Sequence, residues 1–485
     1  MFLLIVALLS STSIGYLLAR VFLPVYKPAW ADLTLKLSLG AGLGAGITSC
    51  FYFLSRIVGG PSRVISVATE ILPWAAAACA FWLARQKRIV MAAQATPLGL
   101  LWSLLPAFVV ALAMAVPLFL DSTASNPYGA WDAWAIWNQR ARFLAQPDGS
   151  WRRAFSPLLN QIAGAGAAHA DYPMLLSGYV ARCWTWMDSI GDVAAPIATA
   201  ALFSAATVGV LVSALAVLRG RSTAIIAALI LLGTAFQLIC PWQYADIPIG
   251  FYYLSTFALI LLADADRERI LTLAGLAMGL AAWTKNEGLL FTLLLTCAVA
   301  VNALISKNWR QLALFTMGAA VPVTLALGFK FFMAPATGTF GQSPLTDTMH
   351  RLVDWSRYAK IGKAFWIEGI AQGAGMAHPI ICLAVLGVFL KLSPERLRQP
   401  VMISSLSALF AVYAGYFCAY VITPLDLTWH LNTSLDRLYA QLWPSLVLLA
   451  PATYKTAEEL ATITSTKQPD RTARRAKNKK MKRSV

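Results

Sequence analysis

The sequence predicts an all-α polytopic membrane protein of about thirteen transmembrane helices, with juxtamembrane helices in large loops on one side. Of 485 residues, 58% are hydrophobic and only 13% charged, against about 25% charged in soluble chains. The apolar residues fall in long runs, and roughly 20 such residues cross a bilayer. In lipid every backbone polar group must be satisfied within the segment, so runs of this kind can only be helices.

In chain order the expected spans are 2–19, 34–54, 67–84, 98–120, 194–218, 223–241, 247–263, 270–286, 288–305, 311–333, 378–391, 401–422 and 438–454. The opening MFLLIVALLSSTSIGYLLAR has no basic residue ahead of its apolar stretch, so it reads as a first span rather than a cleaved signal. In the second, GAGLGAG (Gly40–Gly46) holds Gly-x-x-x-Gly twice, which suits close helix packing. No strand precedes it, so it is not a phosphate loop. Gly275 and Gly279 suit helix packing in the same way. The span 378–391 is short and needs tilting or lengthening to cross.

Clusters of Lys and Arg orient the spans. Arg85–Arg88, Arg219–Arg221, Asp266–Arg269, Lys307–Arg310, Pro394–Arg398 and the tail all fall on one side, which is therefore expected to be cytoplasmic. The chain divides into N-terminal spans (1–120), a large periplasmic loop with juxtamembrane helices (121–193), a transmembrane core (194–333), a second periplasmic loop (334–377), C-terminal spans (378–454) and a basic cytoplasmic tail (455–485). The net charge of +17 owes much to this tail, where Lys467–Val485 carries nine Lys/Arg against Asp470. It reads as an anchor on anionic membrane lipid, with no nucleic-acid partner. In the second loop Arg351, Arg357, Lys360 and Lys363 run against the positive-inside pattern and need an anionic partner or a surface role. Seven cysteines are scattered singly without a CxxC pair, so free buried thiols are expected rather than zinc or disulfides.

Polar residues that interrupt the outer ends of the spans are the candidates for chemistry. WDAWAIWNQRARFL (Trp131–Leu144) reads as an interfacial helix with Trp131, Trp134, Trp137, Ala141 and Leu144 on one stripe and Asp132 with Gln139 on another side. HADYPMLL puts Asp171 at the mouth of a short juxtamembrane or re-entrant helix reaching Met187. Asp246 lies in a turn between spans, in PWQYADIPIGF. Lys285, Asn286 and Glu287 break two apolar runs at membrane depth, which marks a functional site unless they form a self-satisfied pair. Asp436 and Arg437 open the last span. Acids and cations gathered at one lipid interface suit a reaction in which a lipid phosphate leaves and a hydroxyl attacks. The four histidines, His169, His350, His378 and His430, show no metal-ligand spacing.

These motifs, in order over roughly Asp121–Pro451, resemble the GT-C class of integral-membrane glycosyltransferases, which includes protein O-mannosyltransferases and bacterial aminoarabinose transferases. Asp132 resembles the family's acid on a juxtamembrane helix of the first large loop. DYPML is similar to its His/Lys-Pro-Pro-Leu segment, YADIP to its acidic turn, TKNEG to its Thr-Lys-Gly-Pro element and DRLYAQLWP to its closing Arg-Tyr-Leu-x-Pro span. The chain differs in having four spans before the acidic loop and a single acid there.

The resemblance implies inverting transfer of a sugar from a polyprenyl-phosphate donor to an acceptor hydroxyl on a glycan, lipid or protein. It implies Asp132 as general base and Lys285 and Arg437 on the leaving phosphate. Asp246, Asp171 and Glu287 would orient the sugar or those cations, with Trp131, Tyr244 and Arg140 completing the substrate-binding set. No metal or other cofactor is expected, although three carboxylates are enough to hold a divalent ion. The compartment expected is a bacterial inner membrane with the site facing the periplasm. A polymerase or ligase of lipid-linked glycans and a lipid or sugar flippase are the alternatives.

Overall fold

A computed structural model describes residues 1–59, 63–83, 90–91, 98–148, 150–156, 169–263, 268–335, 344–371, 379–456 and 459–460. The basic clusters at 85–88 and 467–485 and His378 lie outside these residues. The helices run α1 Phe2–Phe22, α2 Ala29–Val58, α3 Arg63–Ala68, α4 Ile71–Leu83 and α5 Leu98–Ser125. After a π-helical turn, Ala133–Trp137, come α6 Asn138–Ala145, α7 Leu175–Met187, α8 Ala194–Arg219, α9 Arg221–Leu232 and α10 Phe236–Ile239. Then follow α11 Asp246–Leu262, α12 Ile270–Thr284, α13 Asn286–Ser306 and α14 Trp309–Phe332. The last are α15 Leu345–Val353, α16 Trp355–Ala371, α17 Pro379–Leu390, α18 Pro394–Leu397, α19 Pro400–Ile422 and α20 Leu427–Ala452. Among the described residues the β pairings are one parallel two-residue strand pair, Val25–Tyr26 with Val90–Met91, and an isolated bridge between Leu392 and Tyr454.

Each of the thirteen expected spans meets a helix, but the count is smaller. Among the described residues eight helices are long and apolar enough to cross a membrane, or nine if the pair Arg221–Leu232 and Phe236–Trp242, bent by 58°, is one span. These mark an integral membrane protein. The difference has physical causes. α11 and α12 are apolar but only 17 and 15 residues long, and they lie almost wholly buried at the centre of the bundle, where their neighbours rather than lipid surround them. α17 has 12 residues, and α20 carries Asp436 and Arg437 in its first half.

Glycine sets the closest helix contacts. α1 and α2 meet through Gly15, Gly40 and Gly44, where a Cβ on Gly44 would lie 1.8 Å from the Ser11 carbonyl oxygen. α12 and α14 meet the same way, with a Cβ on Gly275 falling 1.8 Å from the Phe315 carbonyl oxygen. Both glycine groups therefore serve the packing role read from the sequence. Because the obstacle is backbone, it cannot rotate aside. Gly44→Val is expected to destabilise the protein by about 1–3 kcal/mol, the usual cost of overpacking. A thermal melt in detergent unchanged by Gly44→Val would contradict this contact.

Three cations of the second loop donate to neutral oxygens. Arg357 donates to the carbonyls of Tyr420, Val421 and Thr423 at 3.1–3.2 Å, and Arg351 to that of Ile422 at 3.3 Å. Both thus cap the end of α19, where orphan carbonyls carry partial negative charge. Lys360 donates to Thr428 at 2.5 Å. Six cysteines are described: Cys50, Cys183 and Cys240 are buried, whereas Cys79, Cys297 and Cys418 are exposed and unpaired; the Cys382 side chain lies outside the described ones. The expectation of uniformly buried thiols fails because the latter three lie on the outward faces of apolar helices.

Candidate functional site

Local sequence brings charge to helix ends at one end of the bundle. Asp246 sits in the first turn of α11 and Glu287 in the first turn of α13, positions where the helix dipole favours an anion. Lys285 takes an extended conformation between α12 and α13, with φ −150° and ψ 167°, and separates them. Its ammonium reaches Asp246 at 3.0 Å and Glu287 at 2.9 Å. The hairpin pair of Lys285 with Glu287 forms, but the cation is shared with a second carboxylate 39 residues away. Gln441 of α20 donates to the same Asp246 oxygen at 2.6 Å and accepts from Tyr416 at 2.7 Å, which lies 3.3 Å from Tyr253.

Asp132 pairs with Arg437 of α20, not with Arg140. Arg437 also donates to the Thr433 carbonyl at 2.8 Å and stacks its guanidinium over Tyr244 at 5.3 Å. The Asp132 backbone N–H donates to the Tyr244 hydroxyl at 3.2 Å. Burial pushes that hydroxyl up to about 12, so it accepts as a neutral phenol. On the far side Asp171 accepts from Asn286 at 2.8 Å and from Lys330 of α14 at 3.0 Å.

Burial alone would raise the Asp171 carboxyl. The Lys330 ammonium and the Asn286 amide outweigh it and hold the carboxyl below its ordinary value of 3.8. A depressed carboxylate contributes stability that is complete above the unfolded value and lost as pH falls through the folded one. The difference in melting temperature between wild type and Asp171→Asn is therefore expected to stay constant between about pH 5 and 7 and to shrink below about pH 4. A difference that instead grew on acidification would contradict the pairing.

The wall of the site is aromatic. Trp137 stacks on Tyr172 at 5.5 Å, and Tyr172 on His169 at 4.7 Å. The Lys285 ammonium lies over the Tyr172 ring at 5.7 Å. Burial lowers the His169 imidazole, against the pull of Asp171 and Asp132, and leaves it neutral at pH 7. Arg140 is fully buried behind this wall and donates to the Tyr172 carbonyl at 2.5 Å.

The expected tryptophan stripe is broken. Trp131 and Trp134 are 47% and 49% exposed and meet edge to face, while Trp137 is 1% exposed. The π-helical turn Ala133–Trp137 changes the number of residues per turn, so a face drawn at α-helical spacing does not continue through it. The ring contact of Trp131 is with Trp134.

The structure thus joins Asp132, Arg437 and Tyr244, joins Asp246, Lys285 and Glu287, and ties Asp171 to the second group through Asn286. Sequence reasoning missed Lys330, Gln441 and the place of His169 in the stack; the HADYP run beside Asp171 was the available signal for His169. His430 bonds Thr423 at 2.9 Å and packs on Tyr420, a structural setting. Among the described residues no three His, Cys, Asp or Glu side chains gather to hold a metal. Several buried polar atoms in the cluster have no hydrogen-bond partner among the described residues: Asp246 Oδ2, Glu287 Oε2, Asn286 Oδ1 and Arg437 Nε. Unmet polar capacity at this density costs about 1–3 kcal/mol per group until something supplies it. Comparison with known protein families, with curated proteins and with solved structures finds no match.

Proposed function

We propose that this protein is a GT-C-like membrane glycosyltransferase that moves a sugar from a polyprenyl-phosphate donor to an acceptor hydroxyl on a glycan, lipid or protein. The observation that carries the reading is the convergence of four carboxylates and three cations from separate segments, with donors and acceptors left unmet among them. In this reaction the acceptor oxygen bonds to the anomeric carbon on the face opposite the leaving group. The bond from that carbon to the phosphate oxygen breaks, and polyprenyl phosphate departs with the electron pair. Asp132 takes the hydroxyl proton. A developing phosphate charge is met by Lys285 and by Arg437, whose free Nε remains available while its other nitrogens hold Asp132 and Thr433. Asp246, Glu287 and Asp171 position these cations or the sugar, and Tyr172 and Tyr244 supply flat faces for it.

The reading assigns the site to the periplasmic face of a bacterial inner membrane, the tail to the cytoplasm, and no metal to the reaction. The polymerase or ligase alternative drew on the basic second loop. Of its four cations, Arg351 and Arg357 donate to carbonyls at the end of α19. Transfer from a panel of radiolabelled polyprenyl-phosphate sugars in proteoliposomes tests the reading. Label passing to an acceptor names the donor; folded protein that transfers from none of them removes the proposal.

A further inference from the structure

A second charged cluster lies outside this site, on residues to which the proposed reaction gives no role. α3 and α4 form one apolar span, Val64–Leu83, of which only 22% is buried in the protein, and a turn at Thr69 and Glu70 interrupts it. Glu70 is 4% exposed. Arg182 of α7 grips it fork to fork, Nε to Oε1 at 2.5 Å and Nη2 to Oε2 at 2.8 Å. The Trp186 indole donates to Oε1 at 2.8 Å and Ser10 of α1 to Oε2 at 3.3 Å. The Trp74 indole donates to Ser10 at 2.9 Å. Ionised groups at membrane depth are rare and costly, and where they occur they mark a function more often than a scaffold.

Against this knot lies a cleft of about 450 Å³, within the range of roughly 300–1,000 Å³ typical of ligand sites. It is an open notch whose apolar lining comes from Val67, Ile71, Ala75 and Ala78, with Glu70 and Trp186 of the knot lining it too. The helix that carries the walls turns its apolar surface outward, with Ile71 67% and Leu72 62% exposed. The cleft therefore opens into hydrocarbon. Water would find few partners there, because both Glu70 oxygens are already claimed.

We infer that the cleft is a lateral binding groove for an acyl chain of a bilayer phospholipid, held in shape by the Glu70–Arg182 pair. The ion pair fixes the turn, the turn opens the notch, and the chain fills it. α7 gives the groove a consequence. Asp171 precedes the N-terminus of this helix, and Arg182 and Trp186 lie further along it, about 10 and 16 Å from its first residue at 1.5 Å per residue. Lipid in the groove braces the helix that follows Asp171. This inference does not rest on the proposed transfer reaction.

The test is photo-crosslinking in nanodiscs of phosphatidylcholine that carries a diazirine on one acyl chain, with the adducts mapped by peptide mass spectrometry. Adducts are expected on Val67–Ala78 and Trp186 at about tenfold the level on the equally exposed face of α5 around Val109, the ratio that ~1.4 kcal/mol of preference gives. Ala75→Phe with Ala78→Phe should abolish the excess, and Val109→Phe should leave it intact. Equal labelling of the two faces in wild type overturns the proposal without recourse to any variant. Retention of the excess in the double variant also overturns it. So does loss of the signal on adding a few per cent of polyprenyl phosphate, which would assign the groove to the carrier lipid, and so does a crosslinked polypeptide in place of lipid.

Discussion

Asp132→Asn is expected to lower sugar transfer by at least about 10²-fold, the contribution of a positioned general base, while the protein stays folded and still binds donor. Asparagine keeps the shape of the side chain and an oxygen that accepts from Arg437, so the junction between the first loop and α20 survives. The contact to Tyr244 is made by the backbone N–H and is untouched. What is lost is the ability to take a proton. Because in the proposed reaction the change falls on the group that takes the proton and not on the cations that meet the phosphate, kcat should fall while KM for the donor moves little. Near wild-type turnover by the variant in proteoliposomes would remove Asp132 from the reaction. A fall in melting temperature equal to that of Arg437→Met would assign the pair to structure instead.

Lys285→Met has the other large expected effect, and on two readouts. The ammonium is shared by Asp246, which is 1% exposed, and Glu287. Removing it leaves two carboxylates, at the heads of α11 and α13, with one cation fewer between them. Breaking a buried pair from one side costs about 3–5 kcal/mol, because the remaining charge is stranded. Gln441 still donates to Asp246, which places the expectation near the lower figure. Neutralising the carboxylates as well, with Asp246→Asn and Glu287→Gln, should restore most of the thermal stability. It should not restore transfer, since the phosphate would have lost Lys285. Stability and transfer that return together would place Lys285 outside the donor site.

Much of the helical architecture could be read from the sequence, because apolar runs and glycine spacing are local signals. So was the gathering of Asp132, Asp171, Asp246, Lys285, Glu287 and Arg437 at one end, since each interrupts an apolar run near its limit. The pairings themselves were not legible. Asp132 meets a partner 305 residues away, and Glu70 one 112 residues away; nothing local to either acid records the other. Among the described residues eight or nine of the thirteen expected spans are long and apolar enough to cross a membrane, and an apolar run has the same appearance whether lipid or protein surrounds it, as α11 and α12 illustrate. Arg351 and Arg357 looked like cations in search of anions, when they answer the partial charge of a helix end that has no formal charge to count.

The π-helical turn at Ala133–Trp137 makes the reading frame of this loop a chemical variable. A π turn accommodates one residue more than the α-helix it interrupts, and α-helical residues succeed one another by about 100°. Losing any one of these five residues would let the turn relax to an ordinary helix. Asp132 would then be carried about that angle away from Arg437 relative to the buried face of Trp137, Ala141 and Leu144. No side chain of the charged cluster would have changed. A single lost codon that leaves every charged residue of the site in place would still part the acid from its cation.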